Sequence, residues 1–385
     1  MELAPASEKL FNIIAKLTSY CCLACDYCYI EPHQSQFGMK VMSKNIIKKA
    51  MKDYLSLVRK ERGSDNDNRT IKFTWHGGEP LLAGLSFFNE IVDLQNSLVP
   101  SAYRIVNALT TNAVDINEQW TNFFKKNNFQ IGVSLDGPKR IHDTHRKWKN
   151  GKGSFEDVMK GINLLKKDSI KFGILSVITS ESVKSASEIF QFFLDNDLKN
   201  LNFIPYTTFQ EWLTPEEYTD FCISFFDSWY ELDDPSYYIR DFANIIARIF
   251  GRESNLCEYT NCFGNYLGLD TNGDIYMCDL LIGHPEFLLG NITDTSLCET
   301  LDSKKYMELK KKARTNSPSC DKCDFFLICT GGCMYRRYIG KETFPGKDIY
   351  CSTRKKLIRH IVNRLEQSYS AEPSASLDVN SAALH

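Results

Sequence analysis

Four cysteines lie within eight positions near the N-terminus, in the stretch CCLACDYCY over residues 21–29. Cys21, Cys25 and Cys28 have the spacing C-x3-C-x2-C. Three thiolates can hold three irons of a [4Fe–4S] cube and leave the fourth iron open, whereas electron-transfer cubes usually take four cysteines. A structural zinc site is the alternative, but it usually needs four closed ligands, and no histidine follows closely to complete one. Cys22 is adjacent to Cys21, so its side chain points elsewhere and we expect it to be structural.

A second group of cysteines lies in the last third of the chain. From Cys262 the spacing is C-x10-G-x4-C to Cys278, followed by a C-x2-C-x5-C-x3-C run and one more cysteine. The nine members are Cys257, Cys262, Cys278, Cys298, Cys320, Cys323, Cys329, Cys333 and Cys351. A zinc ribbon would explain only the C-x2-C run, so the set favours iron–sulfur clusters. We expect Cys298 and the isolated Cys222 to be small buried side chains.

Composition limits where such a protein can work. The chain has 385 residues, of which 43% are hydrophobic and 24% charged, and its net charge is −2. This balance predicts a globular protein of two domains and gives no reason to expect a nucleic-acid partner. No apolar run reaches about 18 residues, so we expect no membrane span. Without a secretory signal, fourteen cysteines predict a reduced, cytoplasmic metalloprotein rather than disulfides.

The elements that must position these cysteines alternate in the first 206 residues. Short β-branched and aromatic runs predict six strands, and longer runs of helical period follow them. Consecutive βα units imply a parallel sheet with right-handed crossovers, and six units rather than eight suggest an incomplete barrel. The predicted strands cover residues 11–17, 71–75, 104–110, 130–135, 171–178 and 201–206. The predicted helices cover residues 43–60, 85–97, 116–127, 154–167 and 183–195.

Polar and glycine residues follow the predicted strands, at the edge where active sites of such sheets lie. The cysteine loop follows the first strand, HGGEP (76–80) the second, and Thr111-Asn112 the third. SLDGP (134–138) and TSES (179–182) follow the fourth and fifth. These loops should meet on one rim beside the cysteine cluster.

The cysteine spacing with an aromatic residue before Cys28, at the start of six βα units, resembles the radical S-adenosylmethionine (SAM) superfamily. The resemblance implies an α/β fold with a partial (β/α)6 TIM-like barrel, and a SAM molecule chelated by the open iron. It assigns Tyr27 to the adenine and Gly77, Gly78, Glu79 and Pro80 to the SAM amino group. Glycine suits a place where backbone must approach a ligand closely. Asn112, Ser134 and Arg146 are further candidates for SAM binding, with loop capping and a solvated charge as the alternatives for Ser134 and Arg146. Ala113 stands where the family often has glycine.

The second cysteine group resembles the SPASM extension of radical SAM proteins, which carries two auxiliary [4Fe–4S] clusters. The resemblance assigns Cys257, Cys262, Cys278 and Cys333 to the inner auxiliary cluster. It assigns Cys320, Cys323, Cys329 and Cys351 to the outer one. We therefore expect a barrel over 1–206, a helical bridge over 207–256, a SPASM domain over 257–365 and a disordered tail over 366–385.

The implied reaction begins when an electron from a flavodoxin or ferredoxin enters the open cube and cleaves SAM. The resulting 5′-deoxyadenosyl radical would abstract a hydrogen atom from a peptide or protein substrate, and the auxiliary cubes could take a second electron. Asp279 directly follows Cys278. In the sulfatase-maturating enzymes that this chain resembles, an aspartate at this place acts as the base; a turn-capping role is the alternative.

Two substrates fit this machinery, because fold does not set the product. One resemblance is to maturases of ribosomal precursor peptides, which cross-link side chains; the histidine before GGEP favours it, and we expect cross-linking. The other is to anaerobic sulfatase-maturating enzymes, which oxidise cysteine or serine to formylglycine. A non-catalytic iron–sulfur electron carrier is the alternative outside the enzymes.

Overall fold

The structure is a computed structural model that describes most of the chain. It describes residues 12–30, 40–62, 69–208, 211–260, 266–315, 317–340 and 346–371. Cys262 and the part of the predicted tail beyond residue 371 lie outside these ranges.

The described strands form one open sheet. They are β1 (Asn12–Thr18), β2 (Arg69–Gly77), β3 (Tyr103–Thr111), β4 (Gln130–Ser134), β5 (Phe172–Ile178), β6 (Asn200–Pro205), β7 (Tyr238–Ile239), β8 (Tyr266–Leu269), β9 (Asp274–Tyr276) and β10 (Leu288–Asn291). Their order in the sheet is β10-β9-β8-β1-β2-β3-β4-β5-β6-β7. Strands β1 to β6 are parallel and stand in chain order. This arrangement confirms the predicted α/β fold with a partial barrel of six βα units.

Helices follow the barrel strands and cover the outside of the sheet. They are α1 (Lys44–Arg62), α2 (Leu85–Leu98), α3 (Glu118–Asn127), α4 (Lys139–His145), α5 (Phe155–Lys167), α6 (Ala186–Asp195), α7 (Pro215–Leu232) and α8 (Arg240–Ile249). In α5, Val158, Ile162 and Leu165 recur at helical spacing and are completely buried. In β4 the period is two: Ile131 and Val133 are buried, and the residues between them are only partly covered. Helix α4 was not predicted, because seven residues carry too short a periodic pattern.

The last third of the chain contains short elements and one long helix. Its helices are α9 (Leu297–Asp302), α10 (Lys304–Arg314), α11 (Pro318–Asp321), α12 (Phe326–Cys329), α13 (Met334–Ile339) and α14 (Cys351–Ala371). Helix α14 packs against α7, where the rings of His360 and Phe226 meet edge to face at 5.7 Å. Helix α14 continues to Ala371, six residues into the stretch that the sequence assigned to a disordered tail.

Strands from outside residues 1–206 extend the barrel sheet at both ends. Strand β7, from the predicted bridge, pairs in parallel with β6. Strand β8, from the predicted auxiliary-cluster region, pairs in parallel with β1, with Asn12 opposite Tyr266 and Ala15 opposite Leu269. This second pairing brings the C-terminal cysteines to the barrel strand that precedes the first cysteine cluster. In the described ranges no helix combines the length and apolar character needed to cross a membrane.

Candidate active site

The loop after β1 carries Cys21, Cys25 and Cys28 and is held by the loop after β2. Gly78 N–H donates to the carbonyl of Thr18 at 2.7 Å, and Glu79 N–H donates to the carbonyl of Tyr20 at 2.6 Å. A Cβ atom at Gly78 would lie 2.2 Å from the Tyr20 carbonyl oxygen. A Cβ atom at Gly77, whose φ is +133°, would lie 2.3 Å from the carbonyl oxygen of Thr18. Close contact with the cysteine loop therefore requires glycine at both positions, and the contact with a ligand that the sequence suggested stays a prediction.

Glu79 ties three loops together from a fully buried position. One carboxylate oxygen accepts Leu81 N–H at 3.0 Å and Thr111 Oγ1 at 2.8 Å, and the other accepts Asn112 N–H at 2.7 Å. Burial raises the pKa of Glu79 to about 7, although these hydrogen bonds oppose the rise. Pro80 is buried and begins a short 3-10 turn, Pro80–Ala83. A contact of this segment with the SAM amino group stays a prediction.

Asn112 and Cys22 lie beside Cys21, the first predicted cluster ligand. Asn112 Nδ2 is 3.8 Å from Cys21 Sγ and 3.5 Å from Cys22 Sγ. The Cys22 thiol also donates to Asp115 Oδ2 at 3.6 Å. Cys22 thus contacts the loop after β3, but its thiol also lies within hydrogen-bonding reach of the Cys21 thiol. The expectation that the two side chains point apart was therefore wrong, and a structural role for Cys22 stays a prediction.

Tyr27 and Arg146 meet at a buried carboxylate that the sequence analysis did not single out. Tyr27 Oη donates to Asp136 Oδ2, and Arg146 Nε donates to the same oxygen at 2.9 Å. The Arg146 guanidinium lies 5.3 Å from the centre of the Tyr27 ring. Burial alone raises the pKa of Asp136, but the charge of Arg146 and the hydrogen bonds outweigh burial and hold that pKa below its usual range. Arg146 is therefore a buried, paired cation and not a solvated charge. Ser134 ends β4, two residues before Asp136.

His145 links the cysteine loop to the loop after β5. Its Nδ1 lies 2.9 Å from Asp26 Oδ1, and its Nε2 lies 3.2 Å from both Thr179 Oγ1 and Glu181 Oε2. Its ring is 5.4 Å from the ring of Tyr27. No sequence motif singled out His145, which is the last residue of the short helix between SLDGP (134–138) and Arg146.

Asp279 begins a short turn after Cys278 and faces the first cysteine loop. Its Oδ2 accepts the Tyr29 hydroxyl at 3.4 Å, and its Oδ1 lies 3.5 Å from Cys278 Sγ. A Cβ atom at Gly268 of β8 would lie 2.9 Å from Asp279 Cα. The pairing of β8 with β1 thus places the predicted base beside the residue that follows Cys28.

Lys16 and His76 complete this polar pocket, and the sequence analysis did not assign them. They are register partners on β1 and β2. Lys16 is 3% exposed, and its Nζ lies 5.1 Å from the centre of the Tyr29 ring. Burial lowers its pKa, partly offset by the charge of Asp279. His76 Nδ1 is buried and has no hydrogen-bond partner among the described residues.

Seven of the eight described cysteines of the second group lie in two sets, and the eighth, Cys298, belongs to neither. Cys320, Cys323, Cys329 and Cys351 line one cavity, together with Phe325 and Phe326.

The other set is Cys257, Cys278 and Cys333, and the predicted fourth member, Cys262, lies outside the described residues. Burial raises the pKa of Cys333 to about 12. The neighbouring Cys257 adds to the rise, and the charge of Arg336 opposes it. Burial also raises the pKa of Cys278, with Cys333 and Cys257 among its neighbours.

These donors fit iron–sulfur clusters. Both sets consist of thiols, and thiolates are the ligands that such clusters take. In the part of the chain that the structure describes, no group of three or more His, Cys, Asp or Glu side chains is arranged to hold a metal ion. Cys222 is buried in the hydrophobic core, and the partly buried Cys298 packs against that core.

Comparison with known proteins gives the same assignment. Residues 16–193 match the radical SAM superfamily, and residues 257–324 match SPASM, an iron–sulfur cluster-binding domain. The chain is 31% identical to a cysteine-type anaerobic sulfatase-maturating enzyme of Clostridium perfringens, covering 92% of this chain and 96% of that protein. It is 28% identical to a serine-type enzyme of Bacteroides thetaiotaomicron, covering 93% and 91%.

Solved structures agree with these relatives. Native anSMEcpe with bound AdoMet superposes with a TM-score of 0.81 at 29% identity, covering 94% of this chain and 100% of that one. Streptococcus suis SuiB bound to its precursor peptide SuiA gives 0.59 at 16% identity, covering 86% and 73%, which shows a shared fold alone. The chain therefore belongs to the radical SAM superfamily, with a SPASM domain in its last third, and is an enzyme that uses SAM and iron–sulfur clusters.

Proposed function

We propose that this enzyme oxidises a cysteine or serine side chain of a peptide or protein substrate to formylglycine. The relatives described above, which match over more than nine-tenths of this chain, are named as sulfatase-maturating enzymes. The observation that carries the proposal is the place of Asp279, which bonds to Tyr29 of the first cysteine loop and directly follows Cys278. A carboxylate between the first cysteine loop and Cys278 can take the proton that such an oxidation releases.

Peptide cross-linking, the product that the sequence favoured, has weaker support. It rests on the histidine before GGEP and on SuiB, which at 16% identity argues for fold alone. His76 lies near Asp279, whose charge acts on the imidazole, and opposite Lys16 on the neighbouring strand. A histidine at that place suits a polar pocket for either product.

The residues of this chain would divide the work as follows. Cys21, Cys25 and Cys28 would hold the SAM cluster, and the two sets of the last third would hold the auxiliary clusters. When bound there, SAM and its cluster would supply hydrogen-atom abstraction, and the auxiliary clusters would supply a place for the released electron. Asp279 would accept the hydroxyl or thiol proton, held in place by the Tyr29 hydroxyl. For serine, loss of one hydrogen atom, one proton and one electron leaves the aldehyde. For cysteine, the same loss leaves a thioaldehyde, which water converts to the aldehyde with release of hydrogen sulfide. An external flavodoxin or ferredoxin as donor stays a prediction.

The test uses the Cp18Cys peptide, which is bound in a structure of anSMEcpe, and the same peptide with serine at the target position. The anaerobically reconstituted protein is mixed with SAM, a strong reductant and either peptide, and a hydrazide traps any aldehyde before tandem mass spectrometry. A hydrazone at a single residue is the expected result. Loss of two hydrogens that resists the hydrazide, with no fragmentation between two residues, would establish cross-linking instead.

A variant separates the role of Asp279 from a structural one. D279N should lower aldehyde formation by about 100-fold or more while the iron content stays that of the wild type. D274N is the matched control, because Asp274 lies five residues away in β9 and its carboxylate accepts hydrogen bonds from the neighbouring Asn272 and Asn291. Loss of iron in D279N alone would show that Asp279 shapes the Cys278 loop rather than acting as the base.

A further inference from the structure

Four charged residues, two of them buried and two partly buried, lie between the two cysteine sets of the last third. They are Glu258, Arg336, Asp348 and Arg354, here called the charged bridge. Their side chains are 16%, 13%, 1% and 6% exposed, respectively. Two carboxylates and two guanidinium groups balance to zero. A buried ion network usually gains little stability over apolar side chains of the same size, so its place in the molecule needs another reason.

Asp348 contacts the backbone of both cysteine sets. Its Oδ2 accepts the N–H of Cys333 at 2.8 Å, and its own carbonyl accepts the N–H of Cys351 at 2.9 Å. Its Oδ1 accepts Arg336 Nε at 3.1 Å and Tyr350 N–H at 2.9 Å. A Cβ atom at Gly332 would lie 2.4 Å from Asp348 Oδ2, so the chain before Cys333 closes tightly over this carboxylate.

The other three residues tie the sets together through Glu258. Glu258 directly follows Cys257, and its carboxylate accepts hydrogen bonds from both Arg336 and Arg354. Arg354 also lines the cavity of the outer cysteine set and pairs with Asp348 at 3.4 Å. Its guanidinium lies 4.5 Å from the centre of the Tyr259 ring. Each cysteine set thus has a charged group of the bridge directly beside it.

We propose that the charged bridge is a shared outer shell of the two auxiliary cluster sites, which fixes both ligand sets and sets both reduction potentials. The proposal rests on the assignment of the two cysteine sets, and not on formylglycine as the product. Groups that hydrogen-bond behind metal ligands orient them and tune the metal. In a poorly screened interior, a carboxylate beside a cluster disfavours its reduction, and a guanidinium favours it.

The sign of the potential shift distinguishes this role from a purely structural one. E258Q removes a negative charge and should raise the midpoint potentials of both auxiliary clusters. R354Q removes a positive charge and should lower both. Redox titrations of the full, reconstituted chain, followed by electron paramagnetic resonance, measure the two potentials without any peptide. A structural disturbance gives no reason for opposite signs.

Iron retention tests the positioning part. D348N should make iron in both auxiliary sets about 10-fold or more easier to remove with a chelator. The SAM cluster of Cys21, Cys25 and Cys28 serves as the internal reference and should be unchanged. D227N is the matched control, because Asp227 pairs with His360 and Arg364 on the same helix as Cys351, about two turns or more further along.

Each outcome decides the proposal. Potentials that move in the predicted opposite directions, with both sets weakened in D348N, support it. Shifts of the same sign, or an effect confined to one set, overturn it. If D348N or R354Q loses all three clusters, the variant R354K provides the test instead. It keeps the positive charge but lacks the two-pronged guanidinium group. Iron retention and potentials in R354K equal to those of the wild type would overturn the positioning role.

Discussion

The carboxylate of Glu79 accepts the backbone N–H of Asn112 at 2.7 Å and so joins the loop after β2 to the loop after β3. The same carboxylate is completely buried, and its neighbour Gly78 touches the loop that carries Cys21. The Gly78-Glu79 segment, through its backbone and the Glu79 side chain, therefore connects three of the loops that surround the predicted SAM site. The ionisation of Glu79 should be visible in the stability of the whole barrel.

The first prediction is a pH-dependent difference between E79Q and the wild type. The folded pKa of Glu79 is about 7 and its usual value is 4.5, so the folded protein holds this proton more tightly than the unfolded chain. Its contribution to stability is complete below about pH 4.5 and is lost as the pH rises to about 7. Glutamine does not ionise, so E79Q should gain on the order of 3 kcal/mol relative to the wild type over that interval.

Denaturant unfolding at a series of pH values measures this difference. D241N is the comparison, because burial also raises the pKa of Asp241 to about 7 at a site away from the loops. D241N should show a trend of the same sign, and the double variant should show both trends together. A constant difference between E79Q and the wild type across this pH range would contradict the prediction.

The second prediction concerns the close contact between helix α5 and the loop after β3. A Cβ atom at Gly161 would lie 2.2 Å from the carbonyl oxygen of Ala113. That oxygen belongs to the backbone and cannot move away easily, so G161A should destabilise the protein by about 1–3 kcal/mol.

The opposite substitution at the contacting residue, alanine to glycine at position 113, should cost little stability. Ala113 has a φ of +64°, a conformation that glycine adopts freely. A113G relieves that strain but removes a buried methyl group, so we expect a change within about 1 kcal/mol. Thermal and denaturant unfolding of both variants provide the measurement. A stable G161A would show that this loop is not closely packed against α5. A large loss in A113G would show that the buried methyl group contributes more than the backbone strain costs.

The sequence predicted the parts of the molecule that have local signals. The third strand was expected at 104–110 and lies at Tyr103–Thr111, because β-branched runs alternate with helical periods throughout the barrel. The contacts that complete the site have no such signal. Tyr27 and Asp136 are 109 residues apart, and the pairing of β8 with β1 depends on the path of the whole chain. Asp136 lay within a motif that was noted, but only the structure shows that its carboxylate receives both Tyr27 and Arg146.

The third prediction tests that buried pair. D136N leaves the charge of Arg146 buried without its partner, and such a change typically costs about 3–5 kcal/mol. The double variant D136N/R146M should regain part of this loss, because no uncompensated charge remains. A double-mutant cycle in denaturant unfolding gives the coupling between the two residues. If the two single changes simply add, Asp136 and Arg146 do not act as a pair.

The last prediction distinguishes the two adjacent cysteines. C21A should lose the SAM cluster, because three thiolates are the full protein ligand set that the spacing provides. C22A should keep it, because the Cys22 thiol donates to Asp115 at 3.6 Å and serves the loop after β3. Loss of that hydrogen bond should cost about 1 kcal/mol of stability and no iron. Iron content and the electron paramagnetic resonance of the reduced cluster, with and without SAM, measure both variants.

D115N provides the control, because it changes the same contact from the other side, and it should match C22A in stability. If C22A loses the cluster and C21A retains it, the ligand is Cys22, and the loop after β1 must hold its irons in a different register.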